Sequence, residues 1–266
     1  MRRRYTAAVG LAAAVGVVGV LAAGLAGTPR HGGGADGADR SRAPEEFVAL
    51  RDVAPGIGQD IRYAGDHNFV GEPVDGYRDA ECLLTEKSAL ALRRAHRSLR
   101  GRGYGLLVYD CYRPQRAVDH FLRWADDRGD TRTKDEFYPR VPKDRLFDEG
   151  YLAERSGHSR GSTVDVTLVR DGEPVDMGTD FDFFDPRSHV GERDLTKEQR
   201  TARATLRGAL TREGFVPVTT EWWHFGYEPE PFPDTHFDFP VAREALRGDG
   251  RERDGGTDGG SPEPPP

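Results

Sequence analysis

Three separated segments concentrate side chains that ionise, ligate metals or hold anions. The first, Ser156-Gly157-His158-Ser159-Arg160-Gly161-Ser162-Thr163-Val164-Asp165, sets an imidazole seven residues before a carboxylate. On one straight strand an odd spacing sends two side chains to opposite faces. Ser159-Arg160-Gly161-Ser162 is turn-forming, however, and a bend there lets His158 and Asp165 converge. Imidazole nitrogen and carboxylate oxygen are ordinary zinc ligands. Taken alone, a surface His followed by a strand Asp is the commoner meaning of such a pair.

The second segment is Thr219-Thr220-Glu221-Trp222-Trp223-His224-Phe225. Adjacent tryptophans require a largely buried chain, and a Glu and a His buried among aromatics need partners. Core packing is enough to explain at least one of the tryptophans. Glu221 and His224 would face opposite ways on a regular strand, so a shared site requires a bulge or turn between them. The third segment is Tyr109-Asp110-Cys111-Tyr112-Arg113-Pro114. Pro114 holds Arg113 extended at the exit of an apolar run. A guanidinium there can clamp a carboxylate, stabilise an oxyanion or make a structural ion pair.

Jointly these residues describe one chemistry. His158, Asp165 and His224 would give Zn²⁺ three protein ligands and leave a fourth position for water. Glu221 is the candidate general base for that water and then the acid for the leaving group. Arg113 would stabilise the oxyanion or hold the substrate.

The elements that must position these groups follow from periodicity. Thr85 to Leu99 carries Leu90, Leu92, Ala95 and Leu99 at helical spacing, with Thr85 as N-cap. Tyr104 to Tyr109 is a short apolar run, read as a buried strand, and Pro114 to Ala125 follows as a helix. Thr163 to Leu168 alternates, with Thr163, Asp165 and Thr167 on one face. Leu195 to Glu213 is a charged helix closed by Gly214, and Phe215 to Thr220 is a strand. Strands interspersed with helices, without regular βαβ spacing or a phosphate-binding loop, indicate an α+β class.

The chain has 266 residues, 36% hydrophobic and 31% charged, with formal net charge −7. That length suits one domain plus trimmings, and the charge argues against a nucleic-acid partner. Arg2-Arg3-Arg4 precedes an uncharged Ala/Val/Leu/Gly stretch, so residues 1–27 read as a signal peptide or a retained N-terminal membrane anchor. Membrane contact is expected only through that segment. Residues 28–43 read as a linker, 44–247 as the catalytic domain and 248–266 as a disordered tail. Two cysteines, Cys82 and Cys111, exclude thiol-rich structural zinc. In an oxidising compartment they could pair, two buried free thiols being the other reading.

The residues resemble the D-alanyl-D-alanine dipeptidases, the VanX-like branch of zinc peptidases that also include D,D-carboxypeptidases. The likeness runs through Tyr63-Ala64, Gly71-Glu72-Pro73-Val74-Asp75-Gly76-Tyr77, Tyr112-Arg113-Pro114, His158-Ser159-Arg160-Gly161-Ser162, Met177-Gly178 and Phe181-Asp182-Phe183. It continues in Glu221-Trp222-Trp223-His224 and Phe237-Asp238-Phe239-Pro240. His-x6-Asp with a later Glu-x-x-His marks the broader clan, while the Ser-Arg-Gly insert and the double Trp narrow it to the dipeptidase branch. The resemblance implies a hedgehog-like fold, a central antiparallel sheet flanked by helices, with one Zn²⁺ per chain. It implies His158, Asp165 and His224 as ligands, Glu221 as base and Arg113 as the transition-state arginine. Ser156, Asp182 and Tyr63 match positions near a small D,D-dipeptide in a closed pocket.

Two departures stand out. The best-known resistance-conferring members act in the cytoplasm, whereas this chain reads as exported, which shifts the expected role from glycopeptide resistance toward wall-peptide turnover. Cys111 stands where a small residue is expected, and a bond to Cys82 would be specific to an exported setting. The rival readings are a D,D-carboxypeptidase or endopeptidase on wall stem peptides, and an exported binding module with a vestigial zinc site.

Overall fold

The computed structural model describes residues 41–246. The expected signal or anchor, nearly all of the linker and the C-terminal tail lie outside the described residues. Among the described residues, no helix is long and apolar enough to cross a membrane. In chain order come β1 (Phe47–Ala49), α1 (Leu50–Val53), β2 (Gly58–Gln59), β3 (Leu83–Thr85), α2 (Glu86–Arg100), β4 (Gly105–Asp110) and α3 (Gln115–Asp126). Then follow α4 (Lys134–Phe137), β5 (Thr163–Arg170), β6 (Glu173–Pro174), α5 (Lys197–Thr211), β7 (Phe215–Pro217) and β8 (His224–Tyr227).

The main sheet runs β2-β4-β5-β8-β7, with β6 paired to the far end of β5. Its pairings are antiparallel except at one edge, where β2 runs parallel to β4. Together with the flanking helices this is the α+β architecture expected. β5 is buried on both faces: Val164, Val166 and Leu168 join the apolar core, and Thr163, Asp165 and Thr167 are buried as well. A strand whose polar alternate residues are also covered has something other than solvent on that side, here the site.

The helices form where periodicity places them, with local differences at their ends. α5 opens on a capping box in which the Thr196 hydroxyl accepts from Gln199 N–H and the Gln199 side chain accepts from Thr196 N–H. Thr85 sits at the N-terminus of α2 without capping it. Its hydroxyl instead bonds Ser88 and Ser162, at 2.9 and 2.8 Å, tying β3 to the turn before β5. The strand expected to reach Thr220 stops at Pro217, because the chain must turn to bring Glu221 inward.

β1 and β3 form a separate two-stranded sheet under a satellite aromatic cluster of Phe47, Tyr112 and Phe239. This cluster braces Gly161, whose φ of +79° lies in the left-handed region. A Cβ on Gly161 would meet Phe47 Cζ at 2.2 Å, so conformation and space both demand glycine here. Gly161→Ala is expected to cost at least about 2 kcal/mol in unfolding free energy, read by urea denaturation. It should also weaken metal binding, because Gly161 closes the turn that carries His158.

Candidate active site

Strand register does the first part of the positioning. Asp165 on β5 lies opposite His224 on β8 and, across a bulge, opposite Asp110 at the end of β4. His158 enters on a 3₁₀ turn, Gly157–Arg160, and the Ser156 hydroxyl caps that turn by accepting from His158 N–H at 3.2 Å. This turn is the bend that lets His158 and Asp165 meet. A second turn at Trp222-Trp223 brings Glu221 beside His224, with Oε2 3.3 Å from Nδ1. Trp222 and Trp223 are both buried in edge-to-face contact, and the Trp222 indole donates to the Thr179 hydroxyl.

Nε2 of His158 and Nδ1 of His224 each lie 3.3 Å from the same oxygen, Oδ1 of Asp165. Donor atoms held at about 2.0–2.1 Å by a tetrahedral ion are separated by roughly 3.3–3.4 Å. His158 Nε2 and Asp165 Oδ1 are buried without a hydrogen-bond partner. Orphaned buried acceptors are costly, and a shared cation is what would satisfy both. His158 Nδ1 lies 2.6 Å from the Cys111 carbonyl, a bond that requires the proton on Nδ1 and leaves the Nε2 lone pair facing the cluster. The residues therefore fit a bound divalent metal.

The electrostatics agree. Burial holds His158 well below the usual imidazole pKa, with the nearby Arg113 charge adding to it, and burial lowers His224 too. Neutral imidazole is the ligating form. Burial raises the carboxyl groups of Asp110, Asp165 and Asp182. Glu221 is pushed up to about 8, first by burial and then by the Asp165 charge, against the opposing pull of Arg113.

Arg113 Nε donates to Asp110 Oδ2 at 2.9 Å, and Nη2 lies 2.8 Å from the same oxygen in an ion pair. Its guanidinium also lies against the rings of Tyr63 and Phe121, at 4.9 and 5.1 Å. Tyr63 OH donates to Asp182 Oδ2 at 2.8 Å, and Asp182 has φ +59°. Tyr63, Arg113, Ser156, Asp182, Glu221 and His224 together line one cavity of about 140 Å³. Drug-sized ligands occupy roughly 300–1,000 Å³, so this space suits a much smaller molecule. All the residues singled out for chemistry in the sequence thus meet in one place. Cys82 and Cys111 are joined by a disulfide, with their Cα atoms 5.2 Å apart.

Two residues that brace this cluster were not singled out from the sequence. Asp110 is buried and accepts from Tyr77 OH at 2.6 Å as well as from Arg113, while its Oδ2 lies 3.4 Å from His158 Nδ1. The available signal was a carboxylate directly after an apolar strand, which needs a partner if the strand end is covered. Tyr77 carried no such signal.

The family described as D-ala-D-ala dipeptidase, peptidase M15, matches residues 43–242, and the chain belongs to this family of peptidases. A D-alanyl-D-alanine dipeptidase of Streptomyces coelicolor is 45% identical over 199 residues, covering 74% of this chain and 98% of that one. One of Enterococcus faecalis is 43% identical over 198 residues, with the same coverages of 74% and 98%. One of Enterococcus faecium is 40% identical over 197 residues, covering 73% and 98%.

Asp110→Asn should leave the fold intact but loosen Arg113. Peptide hydrolysis is expected to fall roughly 10–100-fold with metal content retained, as measured by steady-state kinetics alongside metal analysis. An unchanged rate would remove Asp110 from the working site.

Proposed function

We propose that this chain hydrolyses D-alanyl-D-alanine, using one Zn²⁺ held by His158, Asp165 and His224, outside the cytoplasm. The observation that carries the reading is the convergence of three ligand atoms on one buried point beside Glu221, at the wall of a cavity small enough for a dipeptide. The names of the relatives support the substrate. The basic and then apolar N-terminus supports export, and the Cys82–Cys111 bond is at home in an oxidising compartment. The corresponding role is trimming or salvage of dipeptide released in wall turnover.

When bound, zinc polarises the scissile carbonyl and makes water a nucleophile near neutral pH. Glu221 then takes the proton from the attacking water and returns it to the departing amine. Arg113, already oriented by Asp110, sets a fixed positive charge where negative charge develops on the carbonyl oxygen, with no reorganisation at the moment of reaction. Asp182, aligned by Tyr63, receives the ammonium group of the dipeptide, and Ser156 hydrogen-bonds its polar backbone. The walls exclude water and limit length.

Hydrolysis of free D-Ala-D-Ala, L-Ala-L-Ala and a wall pentapeptide ending in D-Ala-D-Ala, with and without chelator, tests the reading. Chelator-sensitive cleavage of the D,D-dipeptide alone is expected. Pentapeptide cleavage would make the chain a carboxypeptidase, and no cleavage with zinc bound would make it a binding module. Glu221→Ala should keep zinc and lose on the order of 10²–10⁴ in kcat. His224→Ala should lose both zinc and activity, and tight zinc retention there would take His224 out of the ligand set.

A further inference from the structure

The Cys111 carbonyl accepts from His158, and a covalent bond leaves the same residue. β4 ends at Asp110 after its bulge, so residues 111–113 leave the ladder of the main sheet. They are held instead from the side of β3. Tyr112 N–H donates to the Leu83 carbonyl at 2.9 Å, and Tyr112 OH donates to the Phe239 carbonyl at 2.9 Å. The third tie is the disulfide from Cys111 to Cys82. Cys82 is itself anchored, because its N–H donates to Gln59 Oε1 and its carbonyl accepts from Leu50 N–H, each at 2.9 Å. Both cysteines are buried.

One residue therefore has two attachments. The Cys111 side chain is bonded to the anchored residue just before β3, and its carbonyl receives His158 Nδ1–H at 2.6 Å. We propose that the Cys82–Cys111 disulfide is a positioning element of the metal centre. By fixing the Cys111 carbonyl it orients the His158 ring and presents Nε2 to the ion. The proposal rests on the zinc reading only in taking His158 as a ligand.

Little else orients the ring. Asp110 Oδ2 is 3.4 Å from the same Nδ1, but that carboxylate already accepts from Tyr77 and Arg113. The Arg113 N–H to His158 carbonyl contact is long, at 3.4 Å. A carbonyl free to drift would let the ring turn toward Asp110 and carry Nε2 away from Asp165. Losing the partner on the far nitrogen of a ligating histidine typically costs about 10–100-fold in metal affinity or activity. The centre therefore holds metal more tightly in an oxidising compartment than in a reducing one.

The test compares oxidised wild type with Cys82→Ala/Cys111→Ala, each held well below its unfolding midpoint. Zinc affinity is read by competition with a chromophoric chelator, and ligand geometry by the absorption spectrum of the Co²⁺-substituted protein. The variant is expected to bind zinc about tenfold more weakly, at the low end of that range because the Tyr112 bonds remain. Its Co²⁺ bands should shift. A purely stabilising disulfide would lower the midpoint and leave affinity and spectrum unchanged, and that result overturns the proposal. If the double alanine variant does not fold, Cys82→Val/Cys111→Ala fills more of the vacated space and takes its place. Dipeptide hydrolysis is not used, so the substrate assignment stands or falls separately. A wild type that binds no zinc overturns the metal reading and this proposal together, whereas equal affinities overturn this proposal alone.

Discussion

The carboxyl groups of Asp110, Asp165, Asp182 and Glu221 are buried in one cluster around the Arg113 guanidinium, and much of the surrounding structure serves to make that arrangement tolerable. Desolvation alone would protonate these groups, and their raised pKa values show the pressure to do so. Tyr77 and Tyr63 relieve part of it by donating to Asp110 and Asp182. Asp165 Oδ1 and His158 Nε2 are left without partners, where a metal ion would supply the missing positive charge. Charge balance, more than any single bond, explains why this centre is rich in acids and poor in bases.

Holding such a cluster requires backbone that cannot relax. Two central strands, β5 and β8, carry Asp165 and His224 in direct register, so their separation is set by the sheet. The other groups stand on turns, which are softer, and each turn is braced. The His158 turn is closed by Gly161 against Phe47, and Glu221 is held by the segment after it, packed through Trp222 and Trp223. Arg113 leaves β4 through a bulge and is gripped by Asp110 three residues earlier. Strand register sets Asp165 and His224, and braced turns set His158, Glu221 and Arg113.

The same braced elements line a small cavity. Phe69, Phe121, Phe184 and Trp223 wall a cavity whose polar groups come from widely separated parts of the chain. Aromatic walls exclude water and strengthen the electrostatic terms on which peptide hydrolysis depends.

Much was legible without coordinates. Residue types marked His158, Asp165, His224, Glu221 and Arg113 as candidates for one site, because zinc accepts few side chains and a water-activating carboxylate must stand close by. Local periodicity located α2, α3, α5, β4 and β5, since amphipathic spacing depends on near neighbours only. Register and long-range partnership were not legible. Asp110 looked like any strand-end carboxylate until the bulge in β4 turned it toward Arg113 and Tyr77. Thr85 looked like a helix cap until Ser162, distant in sequence, took its hydroxyl. The two cysteines were compatible with a bond or with free thiols, and only the packing of β3 against the exit of β4 brought them within 5.2 Å. The parallel edge pairing of β2 and the size of the cavity likewise depend on contacts between segments far apart in the chain. Side-chain chemistry and helical or strand period are properties of residues and their neighbours, so the sequence by itself determined them. Which distant groups share a hydrogen bond, a buried charge or a wall is decided by how the elements pack, and that only the tertiary structure could determine.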